Sequence, residues 1–174
     1  MKAITIQQPW ATLISVGAKW YETRTWATKY RGPIAIHAGK QIDPTVFQPM
    51  LCPVRQTEEL YRLGITHDTI DELPRGAVIA VADLVNVWRI VAHPGTNVDK
   101  AKHIPIGAES LTNDKHAPDF GDYIVPTERE FYFGRWIPGN FAWELQNVKF
   151  LTKPIPAKGQ QGLWEWAPGV EVET

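Results

Sequence analysis

The residues best suited to chemistry lie in one short run, Gly17 to Trp26, which holds a lysine, a glutamate, an arginine and two tryptophans. In an extended chain, every second side chain points to the same face. One face of this run would then carry an acid and a base between two aromatic rings: Trp20, Glu22, Arg24 and Trp26. This pattern predicts a strand whose polar face meets either a partner or an opening.

Charged side chains between tryptophans are unfavourable to bury unless they are paired. Glu22 and Arg24 therefore either pair with each other or line an opening where a ligand completes the pairing. A turn after Gly17 could bring the ammonium of Lys19 to the same side as Glu22. The alternative is an ordinary ion-pair network on a half-exposed strand, without a function.

Further basic residues would extend this cluster into a cationic pocket with one acid if the strands pair as their patterns suggest: Arg31, His37, Lys40 and Lys158. Lysine suits phosphate as a point charge, and the planar fork of arginine suits phosphate or a base edge. A tryptophan, Trp10 or Trp26, could stack a base. The competing interpretation makes His37 a strand-exit histidine and leaves Lys40 and Lys158 in solvent.

Composition limits the classes of protein that fit. The chain has 174 residues, 44% of them hydrophobic, which suits one domain with a sizeable core. The net charge of -1 gives no overall attraction to nucleic acid or to an anionic membrane, so any polyanion must bind a local patch. Cys52 is the only cysteine, so no disulfide can form within the chain, and a cytoplasmic location is expected.

Several familiar sites are missing from the sequence. We find no glycine-rich phosphate loop, no G-x-S-x-G elbow and no H-E-x-x-H, and the five histidines lack metal-ligand spacing. No signal peptide and no run of about 18 apolar residues occurs. We therefore expect no metal or cofactor and no membrane partner. Most of the eight tryptophans are expected in the core.

The N-terminal part predicts a strand, a helix and two strands. Ala3 to Gln7 alternates as a strand, and a helix begins at Pro9 and ends at Gly17. Pro33 to His37 alternates again and is expected to form a hairpin with the strand after Gly17. Asp43 followed by Pro44 is typical of another helix start.

The rest of the chain is richer in strands than in helices. One or two further amphipathic helical turns are expected over Thr57 to Leu63, and Ala77 to Val91 reads as a long barrel or central strand. Asp83, inside that strand, either accepts backbone hydrogen bonds or points into a pocket. Two short strands are expected within the irregular region, at Asp122 to Val125 and Phe131 to Phe133. Two more follow it, at Phe141 to Leu151 and Leu163 to Trp166.

The domain organisation follows from these elements. Residues 1–168 form a single domain, residues 92–139 an irregular insertion, and residues 169–174 a tail. Because long irregular segments in compact domains often cover binding sites, the insertion is expected to flank the site. The fold class is α+β, as a small mixed β-barrel with short helices outside.

The segment from Gly17 to Arg24 resembles the ASCH domain family, because it matches the family's motif G-x-K-x-x-E-x-R. Other stretches are similar to that family as well: Gln8 to Ala11, Tyr30 to Ala38, and Pro156 to Trp164. The resemblance covers most of the chain outside residues 92–139. It implies a PUA-like fold in which the motif residues line a cleft that binds RNA or another nucleic acid.

The resemblance also implies two kinds of catalytic activity. Some family members resemble amidohydrolases that act on a modified cytidine. In those enzymes a threonine three residues after the motif lysine is the nucleophile, and the lysine activates this threonine. That position is Glu22 here, and a carboxylate cannot replace the hydroxyl, although Thr23 and Thr25 lie close. Other members are ribonucleases that appear independent of metal, in which Glu22 would be a general base while Lys19 and Arg24 stabilise phosphate.

Two hypotheses therefore follow from the sequence. The leading one is a module that binds RNA or a nucleotide through Lys19, Glu22, Arg24 and Arg31, with His37, Lys40 and Lys158 at its margin. The alternative is a metal-independent ribonuclease or modified-nucleoside hydrolase that uses Lys19 and Glu22. A domain that binds a protein partner through a vestigial cleft is a third option.

Overall fold

A computed structural model describes residues 1–48, 54–92, 106–110, 123–124 and 126–167. The described chain is an α+β protein with one mixed sheet. Its strands are β1 (Lys2–Gln8), β2 (Tyr21–Arg24), β3 (Gly32–Ile42), β4 (Ala77–Ala92), β5 (Ile106–Ser110), β6 (Tyr123–Ile124), β7 (Phe141–Pro156) and β8 (Leu163–Glu165). Its helices are α1 (Trp10–Ser15), α2 (Val54–Arg62) and α3 (Glu128–Phe133), with a 3₁₀ turn at Ile70–Glu72.

The sheet runs in the order β2-β7-β4-β3-β1-β8, and β5 and β6 extend it from β4. Strands β1 and β3 are parallel, and the other pairs are antiparallel. The pairing of β4 with β7 shifts register at three places, between Val78 and Ala80 and twice more before Asn86. Such irregularities increase local twist and bend the strands. The sheet therefore curls, which brings β1 and β2 together although three strands separate them.

The curl does not close the sheet. Among the described residues no backbone ladder joins β2 to β1 or β8, so the predicted barrel is not confirmed. A side chain spans the gap instead, since Arg24 Nη2 donates to the carbonyl oxygen of Thr5 at 2.7 Å. Strand β8 covers only Lys2 to Ile4 of β1, so the edge of β1 beyond Ile4 stays open toward β2.

Helix α1 begins and ends as its sequence predicts. Leu13 and Ile14 are fully buried, Ile14 in the cluster of sheet residues and Leu13 in a second cluster with Leu60 of α2 and Phe133 of α3. Gly17 has φ of +72°, the left-handed conformation that favours glycine, and its N–H donates to Ile14 O at 2.9 Å. This cap turns the chain sharply and sends it into β2.

Three local predictions are wrong. Strands β2 and β3 form no hairpin, because both edges of β3 are occupied by β1 and β4 while β2 pairs with β7. Asp43 begins a turn instead of a helix, and its Oδ1 accepts from the N–H and the hydroxyl of Thr45. Phe131 to Phe133 belongs to α3 and not to a strand, because Thr127 caps a helix there.

The core holds most of the tryptophans, as composition predicts. Five tryptophans are buried: Trp88, Trp136, Trp143, Trp164 and Trp166. Asp83 accepts a hydrogen bond from the side-chain amide Nδ2 of Asn147 at 2.9 Å, and not the backbone hydrogen bonds expected from the sequence. No described helix has the length and apolar character needed to cross a membrane. Cys52, much of the predicted insertion and the tail lie outside the described residues.

Candidate functional site

The motif lysine is buried beneath β2. After the α1 cap, the N–H groups of Ala18 and Lys19 both donate to Leu13 O, at 2.8 and 3.1 Å, and this turn directs Lys19 inward. Its side chain is only 1% exposed, and Nζ donates to Tyr21 O. Nζ also lies 3.7 Å from Glu22 Oε2, so the expected approach of Lys19 to Glu22 is confirmed.

Glu22 links the buried lysine to the surface. Its Oε1 lies 3.1 Å from Arg24 Nε, and the two side chains are 11% and 25% exposed. The motif thus forms a chain of alternating charge from Lys19 through Glu22 to Arg24. Glu22 and Arg24 pair with each other, and both also line an opening.

A buried acid that sequence reasoning missed holds this segment in place. The carboxylate of Glu130 accepts the backbone N–H groups of Trp20 and of Tyr21, the latter at 3.3 Å. Burial raises the pKa of Glu130, while nearby Lys19 and these two N–H donors oppose the rise. Thr127 followed by Glu130 has the spacing of a capping box, and Thr127 Oγ1 does accept from Glu130 N. That spacing could have revealed helix α3, though not the contact of Glu130 with the motif.

The opening is a cavity of about 670 Å³ between the free edge of β1 and β2, which we call the cleft cavity. Its walls come from β1, β2, the turn after Asp43, α2, and α3 with the chain that follows it. The lining residues that matter here are Thr5, Trp10, Glu22, Arg24, Trp26 and Phe131. Residues 131–136, near the end of the predicted insertion, line this cavity, whereas much of the insertion lies outside the described residues.

The two candidate stacking residues are held firmly at the cleft cavity. Trp10 packs on Phe133 with ring centroids 6.3 Å apart, and its Nε1 donates to Asp43 Oδ2 at 2.8 Å. Trp26 packs edge-on against Trp143, 4.7 Å between centroids. Both rings are half-buried, so part of each stays accessible.

Trp20, which the alternation placed on the same face, is outside the cleft cavity. The ring is 49% exposed, and its Nε1 donates to Gly17 O at 2.9 Å. Because β2 begins only at Tyr21, the alternation does not extend to Trp20.

A second cavity, of about 990 Å³, is lined by His37 and Lys40 of β3 and by Lys158, which follows β7. This loop cavity is lined by Thr5, His37, Gly39, Lys40, Gly76, Pro156, Ala157, Lys158, Gly159, Gln160 and Gln161. It shares Thr5 with the cleft cavity. The basic residues expected in a single cationic pocket therefore do not meet in one cavity. The reason is that β7 and β4 separate β3 from β2 in the sheet.

Arg31 enters neither cavity. Its Nη1 donates to Thr28 O at 3.0 Å and to Tyr30 O at 2.8 Å. Burial lowers the pKa of Arg31 below its ordinary value. The side chain thus braces the turn before β3, and the structure does not bring it to Glu22 and Arg24.

Two residues of β2, Thr23 and Tyr21, carry hydroxyl groups close to the motif residues. The Thr23 hydroxyl accepts from Arg135 N at 2.9 Å, which ties β2 to the chain after α3. Burial, with the charges of Glu144 and Glu130, raises the pKa of Tyr21 to about 12, so its phenol stays neutral. Within the described residues, no three His, Cys, Asp or Glu side chains cluster as metal ligands.

One comparison with known proteins agrees with the motif. The family model of the ASCH domain matches residues 4–154, which is most of the chain. The comparison with curated proteins gives no match. The match extends from β1 into β7 and includes the motif lysine, glutamate and arginine, the open edge of β1 and α3. By this match, the chain belongs to the ASCH domain family.

Proposed function

We propose that the protein binds RNA or a nucleotide, with a base held in the cleft cavity. The observation that carries this proposal is the Glu22–Arg24 pair, which presents an acceptor and a planar donor on the wall of an open cavity between Trp10 and Trp26. A base offers donors and acceptors in one plane and a π-face for stacking. An aromatic contact of this kind contributes about 1 to 3 kcal/mol per base. The family, PUA-like and often linked to RNA, supports the same class of ligand.

The proposal gives the motif residues different tasks. Arg24 and Glu22 contact the base edge, where Glu22 accepts from an exocyclic amine and Arg24 donates. Lys19 is a positioning residue, because it is buried and reaches the ligand only through Glu22. Arg31 has its Nη1 donors occupied by backbone carbonyls, so we leave it out of the binding set.

Titration with a fluorescent RNA oligonucleotide at several salt concentrations tests this function. We expect Arg24→Gln to weaken binding by about tenfold or more, since one good side-chain pairing with a base contributes about 1 to 3 kcal/mol. Arg89→Gln is the matched control, because this exposed arginine of β4 carries the same charge outside both cavities. Absence of binding at low salt, or equal losses in both variants, would contradict the proposal.

A hydrolase in the same cavity is the second candidate function. The observation in its favour is that Glu22, an acid on the cavity wall, is backed by the buried ammonium of Lys19. Glu22 would act as the base in cleavage of RNA or of a modified nucleoside. Incubation of the protein with structured RNA and with acylated cytidine, followed by mass spectrometry of the products, distinguishes the hydrolase from the binding module. Turnover that Glu22→Gln abolishes while binding survives favours the enzyme, and intact ligands favour the binding module.

A further inference from the structure

The loop cavity differs from the cleft cavity in its charge. Among the described residues, its only charged lining residues are Lys40 and Lys158, and none of them is acidic. Both lysines are exposed, and neither is in an ion pair within the described part of the chain. A cavity with two unpaired ammonium groups attracts an anion.

The backbone around Lys158 adds donors to these charges. Within the described residues, no protein acceptor takes the backbone N–H groups of Lys158, Gly159, Gln160 or Gln161. This loop lies outside any strand, between the end of β7 and the start of β8. Successive free N–H groups beside a lysine are the donors that a phosphate group uses.

His37 and Gly159 set the position of this loop. Because Ala157 O can only accept, His37 Nε2 carries the hydrogen in their 3.1 Å contact. A Cβ on Gly159 would lie 2.4 Å from His37 Cε1 and 2.8 Å from Thr5 Oγ1, so only glycine lets the backbone pack on the ring. The His37 ring is 2% exposed, and its Nδ1 has no hydrogen-bond partner. The loop with the free donors is thus held at a defined place on the cavity wall.

We infer that the loop cavity is a second binding site, for a phosphate group, separate from the base site of the cleft cavity. Lys40 and Lys158 supply the charge, and the N–H groups of residues 158–161 supply the directed hydrogen bonds. The inference stands without the proposed base site, because the two cavities share only Thr5 among their lining residues. A phosphate group can come from a free monoester or from a nucleic-acid backbone, and the test separates these sources.

Amide NMR titration of the full chain with potassium phosphate, against potassium chloride of matched ionic strength, tests the site. We expect the amides of Lys158, Gly159 and Gln160 to shift with phosphate while those of Glu22 and Arg24 stay unchanged. The double variant Lys40→Gln/Lys158→Gln should raise the Kd for phosphate about tenfold or more. The matched control Lys149→Gln/Lys153→Gln removes two exposed lysines of β7 outside the cavity and should change the Kd less than about twofold.

Gly159→Ala tests the geometry with both lysines kept. It should weaken phosphate binding while the other amide signals keep their dispersion, which reports an intact fold. A 5′-phosphorylated and a 5′-hydroxyl oligonucleotide then identify the source. Loop shifts with both indicate a backbone phosphodiester, and shifts with the phosphorylated one alone indicate a terminal monoester. Unchanged loop amides in phosphate, or equal losses in the two lysine double variants, would overturn the inference, whereas loss of base binding alone would not.

Discussion

The cleft cavity and the loop cavity share Thr5 but hold their charges in opposite ways. In the cleft cavity, Glu22 lies between Lys19 and Arg24, so the charges satisfy one another before any ligand arrives. In the loop cavity, Lys40 and Lys158 have no acidic partner among the described residues. The first arrangement suits hydrogen bonding to a neutral base, and the second suits an anion. The presence or absence of an oppositely charged partner therefore distinguishes charged side chains that stabilise the fold from charged side chains available to bind a ligand.

The largest expected contrast between the two cavities is in stability. Glu22→Gln removes one of the two carboxylates near the buried Lys19 ammonium and leaves Glu130, so we expect the free energy of unfolding to fall by about 2 kcal/mol. Lys40→Gln and Lys158→Gln remove exposed, unpaired charges and should change it by less than about 0.5 kcal/mol. Urea unfolding followed by circular dichroism measures all three. Equal effects in the two cavities would show that the charge network of the motif is not structural.

A second contrast concerns the salt dependence of RNA binding. A residue on a base edge changes affinity without changing the number of counterions released, whereas a residue on phosphate changes both. Arg24→Gln should therefore weaken binding with the slope of log K against log salt unchanged. Lys158→Gln should lower the magnitude of that slope by about 0.7 if the RNA reaches the loop cavity as a single strand.

Titrations across several salt concentrations give both slopes, and Lys153→Gln controls for a change in overall charge. A lowered slope in Arg24→Gln would place a phosphate in the cleft cavity. An unchanged slope in Lys158→Gln would separate the loop cavity from RNA binding.

The smallest expected contrast is in pH dependence. Burial lowers the pKa of His37 below its ordinary value of 6.5, against the bond to Ala157 O, which raises it. The unfolded chain then takes up a proton that the folded chain resists, so stability declines as the pH falls through and below about 6.5. The charged groups among the described lining residues of the same cavity are Lys40 and Lys158.

Urea midpoints at about pH 7.5 and about pH 5.5 measure this decline. His37→Gln should flatten it, whereas His67→Gln, which alters an exposed histidine bonded to Tyr61, should not. The same decline in wild type and His37→Gln would assign the effect to other groups.

The motif cluster was accessible from sequence because its parts lie within one turn and one short strand. Gly17 ends a six-residue helix, and the resulting turn carries Lys19 to Glu22 in the way that the spacing suggests. Alternation along β2 then puts Glu22 and Arg24 on the same cavity. The same alternation failed at Trp20, because the residues before Tyr21 follow the helix cap and not the strand.

The α+β class, the long strands β4 and β7 and the members of the motif cluster were determined by the sequence alone, since periodicity and glycine caps act over a few neighbouring residues. Tertiary structure alone decided that β2 pairs with β7, that Glu130 reaches back 110 residues to hold Trp20, and that the basic residues divide between two cavities. These features depend on which strand edges remain free and on how far the sheet curls. These features depend on the packing of the whole chain, so no local sequence pattern predicts them.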